Sequence, residues 1–289
     1  MNYLLHILVM AEIYIILGLA MNLLAGYSGL LSVSQAAFYG IGAYAAALLL
    51  VNTGYSFPIV LVGAIVINMI ACIPVIAFSI RFRDLFFVLA TLAWQVIIFT
   101  VLYNWVSVSN GPYGISGIPK PVIFGYPFES LPQFALLAGA LCALVLLFFY
   151  GLHKSPLSRY FQGVRDDQLT MLSFGKKPGY YKAIAISISS GVSAIAGTLF
   201  ACYYSYIDPT SFTMDESILI ISIVLIGGLG TLRGSVAGAL FYVLLPEVLR
   251  FVNVPDAFAS NLRMMIYALI LILMVMFRPY GFFGNYRFE

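Results

Sequence analysis

Long apolar stretches dominate this chain, and their lengths say more than their periodicity. Runs at 3–24, 58–80, 85–106, 131–152, 183–206 and 261–278 are each long enough, as a helix of about 20 residues, to cross the roughly 30 Å of bilayer hydrocarbon. Three further runs, 30–51, 216–229 and 234–252, are broken by Gly and Ser. These read as short, tilted or discontinuous helices, which are tolerated where they are buried among other helices or line a cavity. The pattern predicts an all-α polytopic membrane protein of eight to ten transmembrane helices, some short or discontinuous, in a single domain over residues 1–289.

The polar interruptions orient the spans. From His153 to Lys182 there are six cations (Lys154, Arg159, Arg165, Lys176, Lys177, Lys182) against two acids, Asp166 and Asp167, and loops rich in Lys/Arg stay in the cytoplasm. Arg81 and Arg83 fall on the same side. That makes 107–130 external, and 207–216 as well, with Asp208, Asp215 and Glu216 and no Lys or Arg, while Arg278 and Arg287 put the C-terminus inside. Inside the cationic loop, Leu157, Tyr160, Phe161, Val164, Met171 and Leu172 recur at helical spacing among charges. Ser155 and Pro156 suit the start of a helix over 156–174, and Gly175 suits a left-handed C-terminal cap. Such a helix either lies on the membrane surface or docks its apolar stripe in the groove of a cytoplasmic partner.

Composition agrees with the membrane reading and excludes others. With 62% hydrophobic residues, 9% charged and a mean hydropathy of +1.01, there is too little polar surface to clothe a soluble globule, so lipid is the outer solvent. The net charge of +3 is small and sits in loops, so no nucleic-acid partner is implied. Cys72, Cys142 and Cys202 stand singly in apolar runs and read as packing residues without metal or disulfide spacing. No cofactor is implied. The first apolar run lacks a basic preceding region and contains Glu12, unlike a cleaved signal peptide.

Polar residues within spans should face the bundle interior or a water-filled path. Glu12, Asn22, Ser32, Gln35, Asn68, Thr91, Gln95, Ser189, Ser190 and Ser193 are the candidates. Ser32, Gln35, Thr91 and Gln95 are taken as candidates for lining a substrate path. The serines have a plainer option in bonding back to their own helix, and Glu12 one in pairing with another span. Clustered glycines (Gly40, Gly42, and later Gly227, Gly228, Gly230, Gly234, Gly238) allow close helix approach or mark breaks. A weak self-similarity, Gly29-Leu30 with Ser32 and Gly228-Leu229 with Thr231, hints at two related halves.

Several separated motifs, in order, resemble the permease subunits of branched-chain amino acid (LIV-type) ABC importers, and their LivM-like branch in particular. They are Leu31-Ser32-Val33-Ser34-Gln35 through Tyr44; Arg81-Phe82-Arg83 with Thr91-Leu92-Ala93; Gly111-Pro112-Tyr113-Gly114-Ile115; Arg159 with Arg165-Asp166-Asp167 and Gly175; Asp208 through Thr213 with Ser217; Gly227-Gly228-Leu229-Gly230-Thr231; and Phe277-Arg278-Pro279. The resemblance implies one half of a permease heterodimer in a bacterial cytoplasmic (inner) membrane. A second permease subunit, two cytoplasmic ATPase subunits and a periplasmic or lipid-anchored binding protein would be its partners. It implies further that Arg159, Arg165, Asp166, Asp167 and Gly175 couple it to the ATPases, and the apolar stripe of the docking helix adds Phe161 and Val164. Asp84, Ser34, Gln162 and Lys176 depart from the family's usual residues, and Asp84 beside Arg81 and Arg83 is placed for an ion pair. The chain has no Gly-x4-Gly-Lys-Ser/Thr and would leave ATP hydrolysis to its partners. A urea or short-chain amide importer is the alternative within this class. A freestanding carrier would hold more acids within its spans than Glu12. An intramembrane enzyme lacks its signatures: His6 and His153 form no His-Glu-x-x-His, and Gly26-Tyr27-Ser28-Gly29 is no Gly-x-Ser-x-Gly.

Overall fold

The computed structural model describes residues 2–123, 125–128 and 130–250, with the isolated positions 265, 266, 269, 272, 273 and 276 and the segment 281–284. The helices in chain order are α1 (Asn2–Asn22), α2 (Gln35–Thr53), α3 (Phe57–Ala71), α4 (Ile73–Arg81), α5 (Asp84–Asn104) and α6 (Val106–Ser109). They continue with α7 (Leu131–Lys154), α8 (Pro156–Asp166), α9 (Gln168–Ser173), α10 (Pro178–Tyr204), α11 (Met214–Gly227) and α12 (Leu232–Arg250). The chain is an all-α membrane protein. Among the described residues, six stretches are long and apolar enough to cross a membrane: Tyr3–Tyr27, Gln35–Thr53, Phe57–Arg81, Asp84–Asn104, Leu131–Lys154 and Pro178–Tyr204. The pair α11 and α12 covers two of the three Gly-broken runs, 216–229 and 234–252, while the third, 30–51, carries α2 and is long enough to span. The expected span 261–278, with Phe277-Arg278-Pro279 and Arg287, lies outside the described residues apart from the isolated positions above.

Helices α1, α2 and α10 form the interior, and α3, α5 and α7 turn exposed Val62, Leu85, Phe86, Leu89, Leu136 and Leu147 outward. Such a rim suits lipid and would not suit water. α3 and α4 form one kinked span, because Pro74 has no N–H to continue the ladder. The tightest seam joins α2 and α10. A Cβ on Gly42 would sit 2.5 Å from Ala194 Cα, and one on Gly197 would strike the backbone of Tyr39. Any larger residue there would push the two backbones apart.

Two helices start deep within the bundle. α1 ends in a π-helical turn, Leu23–Tyr27, and the chain doubles back through 28–34 before α2 begins. Gln35, the first residue of α2, bonds Ser189 and Ser193 of α10. Those serines lie 11 and 15 residues past Pro178, about 16–22 Å along a helix of about 40 Å. On the other side α10 ends at Tyr204, β2 (Tyr206–Ile207) pairs antiparallel with β1 (Ile115–Ser116), and the chain then dips inward before α11. The segment 207–216, expected as an external loop, is packed against the bundle. Phe212 is buried with its ring 5.0 Å from Tyr39 and 5.8 Å from Phe200, and Glu216 accepts a hydrogen bond from Tyr14 of α1. Apolar contact with α2 outweighs the loop-like local sequence. Both segments of the self-similar hint fall at breaks, with positive φ at Gly29 (67°) and Gly228 (114°).

Candidate functional site

The first amides of a helix have no partner within it, and at bilayer depth no water replaces one. The start of α2 therefore needs side chains from elsewhere. Ala36 N–H donates to Ser217 Oγ of α11 at 2.9 Å, and Ala37 N–H to Gln95 Oε1 of α5 at 2.6 Å. Just upstream, Val33 N–H donates to Thr91 Oγ1 at 3.0 Å, and the Ser32 and Ser34 hydroxyls pair at 2.8 Å. Gln95 also donates from Nε2 to the carbonyl of Phe212 at 2.8 Å, and its Oε1 accepts from Ser217 Oγ at 3.3 Å. A single glutamine thus fastens the start of α2, the inward segment before α11, and α11 itself.

The four path candidates Ser32, Gln35, Thr91 and Gln95 are therefore brought together at one junction. All are essentially buried and bonded to protein. Of the other candidates, Asn68 donates to Phe38 O at 2.7 Å. Ser190 and Ser193 bond back within α10, to Ser187 O and Ser189 O. Ser189 donates to Ala20 O of α1. Glu12 is buried beside Gly139 of α7, and its Oε2 has no hydrogen-bond partner among the described residues. Ser217 and Phe212 are the members the sequence reading missed in this role.

At the end of the bundle carrying α8 and α9, Asn22 forms a second junction. Its Nδ2 donates to Thr231 O and to Ser235 Oγ, and its Oδ1 accepts from Gly230 N–H, each at 2.8 Å. Gly26 lies against Gly230, so that a Cβ on it would strike Gly230 N. Arg165 of α8 donates from Nη1 to Gly26 O at 2.7 Å and from Nε to Asp166 at 2.8 Å. The segment 281–284 joins here, with Phe282 N–H on Ile226 O and Phe283 N–H on Gly227 O, each at 3.0 Å.

The expected helix over 156–174 is two helices. Asp167 is extended (φ −156°, ψ 109°) and caps α9, accepting from Leu169 N–H at 2.8 Å and Thr170 Oγ1 at 2.5 Å. These donors hold its carboxyl below the usual carboxylate range, the Thr170 hydroxyl contributing most. Gly175 has the expected positive φ of 72°, with Gly175 N–H on Leu172 O and Lys176 N–H on Met171 O. The apolar stripe is corrected. Phe161 and Val164 are each 1% exposed and belong to this chain's own core, where α8 packs on α7 and α10, so neither is available to a partner. Leu169, Leu172 and Phe174 point outward instead, beside exposed Arg159, Asp166 and Asp167. Lys176 lies over the Tyr160 ring at 5.2 Å. The ion pair expected of Asp84 does not form among the described residues; Asp84 opens α5 at φ 49°, a conformation glycine adopts freely. Phe161→Ala should accordingly lower the stability of the whole chain by about 3 kcal/mol, read as a fall in the melting temperature of the purified protein. An unchanged melting temperature would return Phe161 to the surface.

Residues 3–275 match the family described as the permease component of branched-chain amino acid transport systems. The chain belongs to that family. The high-affinity branched-chain amino acid transport system permease protein LivM of Escherichia coli (strain K12) is 32% identical, over 93% of this chain and 67% of the relative. LivM of Salmonella typhimurium is likewise 32% identical, over 94% of this chain and 68% of the relative. The autoinducer 2 import system permease protein LsrC of Salmonella typhi is more distant, 24% identical over 71% of this chain and 59% of its own length. No solved structure matches the chain. Membership of this permease family fits a multi-pass membrane protein whose irregular backbone lies buried between helices.

Proposed function

We propose that the chain is one of two permease subunits of an ATP-driven importer, a single domain that passes branched-chain or related small amino acids delivered by an extracytoplasmic binding protein. Two cytoplasmic ATPase subunits supply the energy, since the sequence has no phosphate-binding loop of its own. Within a family of transport permeases, the observation that carries this reading is the α8–α9 segment. Its inner side is locked into the bundle by Phe161, Val164 and Arg165, while Leu169, Leu172 and Phe174 stand exposed among charges. A short helix with an apolar outer face on a rigid base fits helix-in-groove docking, and Arg159, Asp166 and Asp167 would tune partner choice as rim charges do. The excess of Lys/Arg in 153–182 supports a cytoplasmic location for this end and, with the arginines beyond it, for the C-terminus.

The test is reconstitution of the chain with the second permease, ATPase and binding-protein subunits in lipid vesicles. Leu169→Ala combined with Phe174→Ala removes roughly 2–3 kcal/mol of apolar contact. Uptake and binding-protein-stimulated ATP hydrolysis should then fall together by about tenfold or more, with the melting temperature of the isolated chain retained. Wild-type rates in the double variant would place docking elsewhere, and uptake by the chain alone would make it a freestanding carrier.

A further inference from the structure

Glu12 stands at the middle of α1, about 15 Å from either end of the helix. It is 9% exposed, and its Oε2 has no hydrogen-bond partner among the described residues. Its Oε1 lies 2.9 Å from where a Cβ on Gly139 of α7 would stand. A carboxyl group at that depth, charged or neutral, is costly unless polar groups meet it. Lipid tails offer none and headgroups lie about 15 Å away, so the partner must be protein.

The rim of the bundle around this group is shaped for a helix. Leu8 and Leu4, one and two turns before Glu12 on the same face of α1, are 48% and 70% exposed. Beside Glu12, α7 presents Gly139, Ala140 and Ala143, with Ala140 and Ala143 exposed. Gly139 and Ala143, four residues apart, have the spacing of small residues that lets a neighbouring helix approach closely. Both α1 and α7 are described along their whole lengths. Beyond α12, Ile272 lies in a cleft against α11, and Phe282 and Phe283 bond the end of α11. Those positions leave the α1–α7 groove open.

We propose that a transmembrane helix of the second permease subunit seats in this groove, its backbone close over Gly139 and Ala143 and a side-chain hydrogen-bond donor on Glu12. The inference rests on the reading of the chain as one half of a permease pair, and adds where the other half sits and by what chemistry. A second copy of this chain docking by the same face would bring another carboxyl and no donor at this depth. Glu12 therefore selects against self-pairing as well as for a partner that carries the donor. An intramembrane hydrogen bond of this kind also fixes the register of the two helices.

The test uses the complex of both permease, ATPase and binding-protein subunits. Photoreactive p-benzoylphenylalanine is placed at Leu8, at Ala143 or, as a control, at exposed Phe86 of α5. Irradiation should join the chain to the second permease subunit from Leu8 and from Ala143 at least tenfold more than from Phe86. Glu12→Leu, which removes both oxygens, and Ala143→Leu, which blocks close approach, should each raise the loss of the second subunit on dilution in detergent at least fivefold. The melting temperature of the isolated chain should hold in both, which a residue needed only for this chain's own packing would not allow. Glu12→Gln keeps an acceptor and should restore association. Adducts only with lipid, with a second copy of this chain or within the chain itself would overturn the proposal. So would equal yields from Phe86, or unchanged association in both Glu12→Leu and Ala143→Leu. ATP-driven uptake by the same preparations is followed in parallel. Uptake with a co-purifying second subunit but without those adducts counts against the groove alone. Uptake by the chain with no second subunit would overturn the groove and the permease-pair reading together.

Discussion

Gln95→Leu is expected to abolish uptake by the reconstituted importer while the chain still inserts in the membrane. Gln95 is 1% exposed, and its amide serves three partners on three segments: Ala37 N–H, Phe212 C=O and the Ser217 hydroxyl. Leucine keeps the volume and the helical preference of α5, so insertion of that span should survive. The backbone groups of Ala37 and Phe212 would lose their partners at a depth where no water substitutes, at about 1–3 kcal/mol each. A side chain of similar volume thus does not rescue the junction, because the loss is of hydrogen bonds and not of packing. Phe212 sits among Tyr39, Tyr44 and Phe200 only while the inward segment is held, so its release would disorder the middle of the bundle. Thr91→Val, which removes a single acceptor from Val33 N–H, should act in the same direction at about 1–2 kcal/mol. Uptake assays alongside thermal unfolding check both. Wild-type uptake and melting temperature in Gln95→Leu would mean that the three bonds are dispensable.

Much of this junction was legible in the sequence, and for a physical reason. A polar side chain in a transmembrane run is costly, so each of Ser32, Gln35, Thr91 and Gln95 had to have a partner inside the bundle. What the sequence does not carry is the partner's identity. Gln95 meets Phe212 across 117 residues and Tyr14 meets Glu216 across 202, and no local spacing reports such pairs. The direction of the α8 stripe was hidden for a related reason. A helical period at Phe161 and Val164 says that one face is buried, and it is the same whether the cover is this chain or another. The break at Asp167 had a local signal, since an Asp followed by Leu169 and Thr170 can cap a new helix, but in a charged run it reads equally well as a solvated side chain. The inward dip after Ile207 was obscured by Asp208, Thr210 and Ser211, which look like an external turn. There Asp208 does bond Ser211 and Thr210 locally, while Phe212, four positions after Asp208, is buried.

Arg165→Ala should separate ATP hydrolysis from transport. Arg165 occupies the only place among the described hydrogen bonds where α8 is tied to the turn after α1, through Gly26 O. From Gly26 the path is short: the turn follows directly on Asn22, and Asn22 clamps Gly230, Thr231 and Ser235 at the junction of α11 and α12. Movement of α8 by an ATPase would therefore reach α11, whose first turn carries Ser217 and Glu216, through one guanidinium and one amide. A hydrogen bond from a charged donor contributes about 1.5–3 kcal/mol, so its loss should shift the balance of transport states by about 10- to 100-fold. Since Leu169, Leu172 and Phe174 are untouched, docking and binding-protein-stimulated hydrolysis should persist, and the amount of solute moved per ATP should fall by at least tenfold. Arg165→Lys keeps the charge without the planar pair of donors that serves Gly26 and Asp166 together, and should lie between. Asn22→Leu breaks the next link and should give the same uncoupling with α8 unchanged. An equal fall of hydrolysis and uptake in Arg165→Ala would assign the residue to docking. Unchanged uptake per ATP in both Arg165→Ala and Asn22→Leu would mean that the coupling runs through α7 and α10, on which α8 also packs, since coupling is established by a measured interaction free energy and not by adjacency.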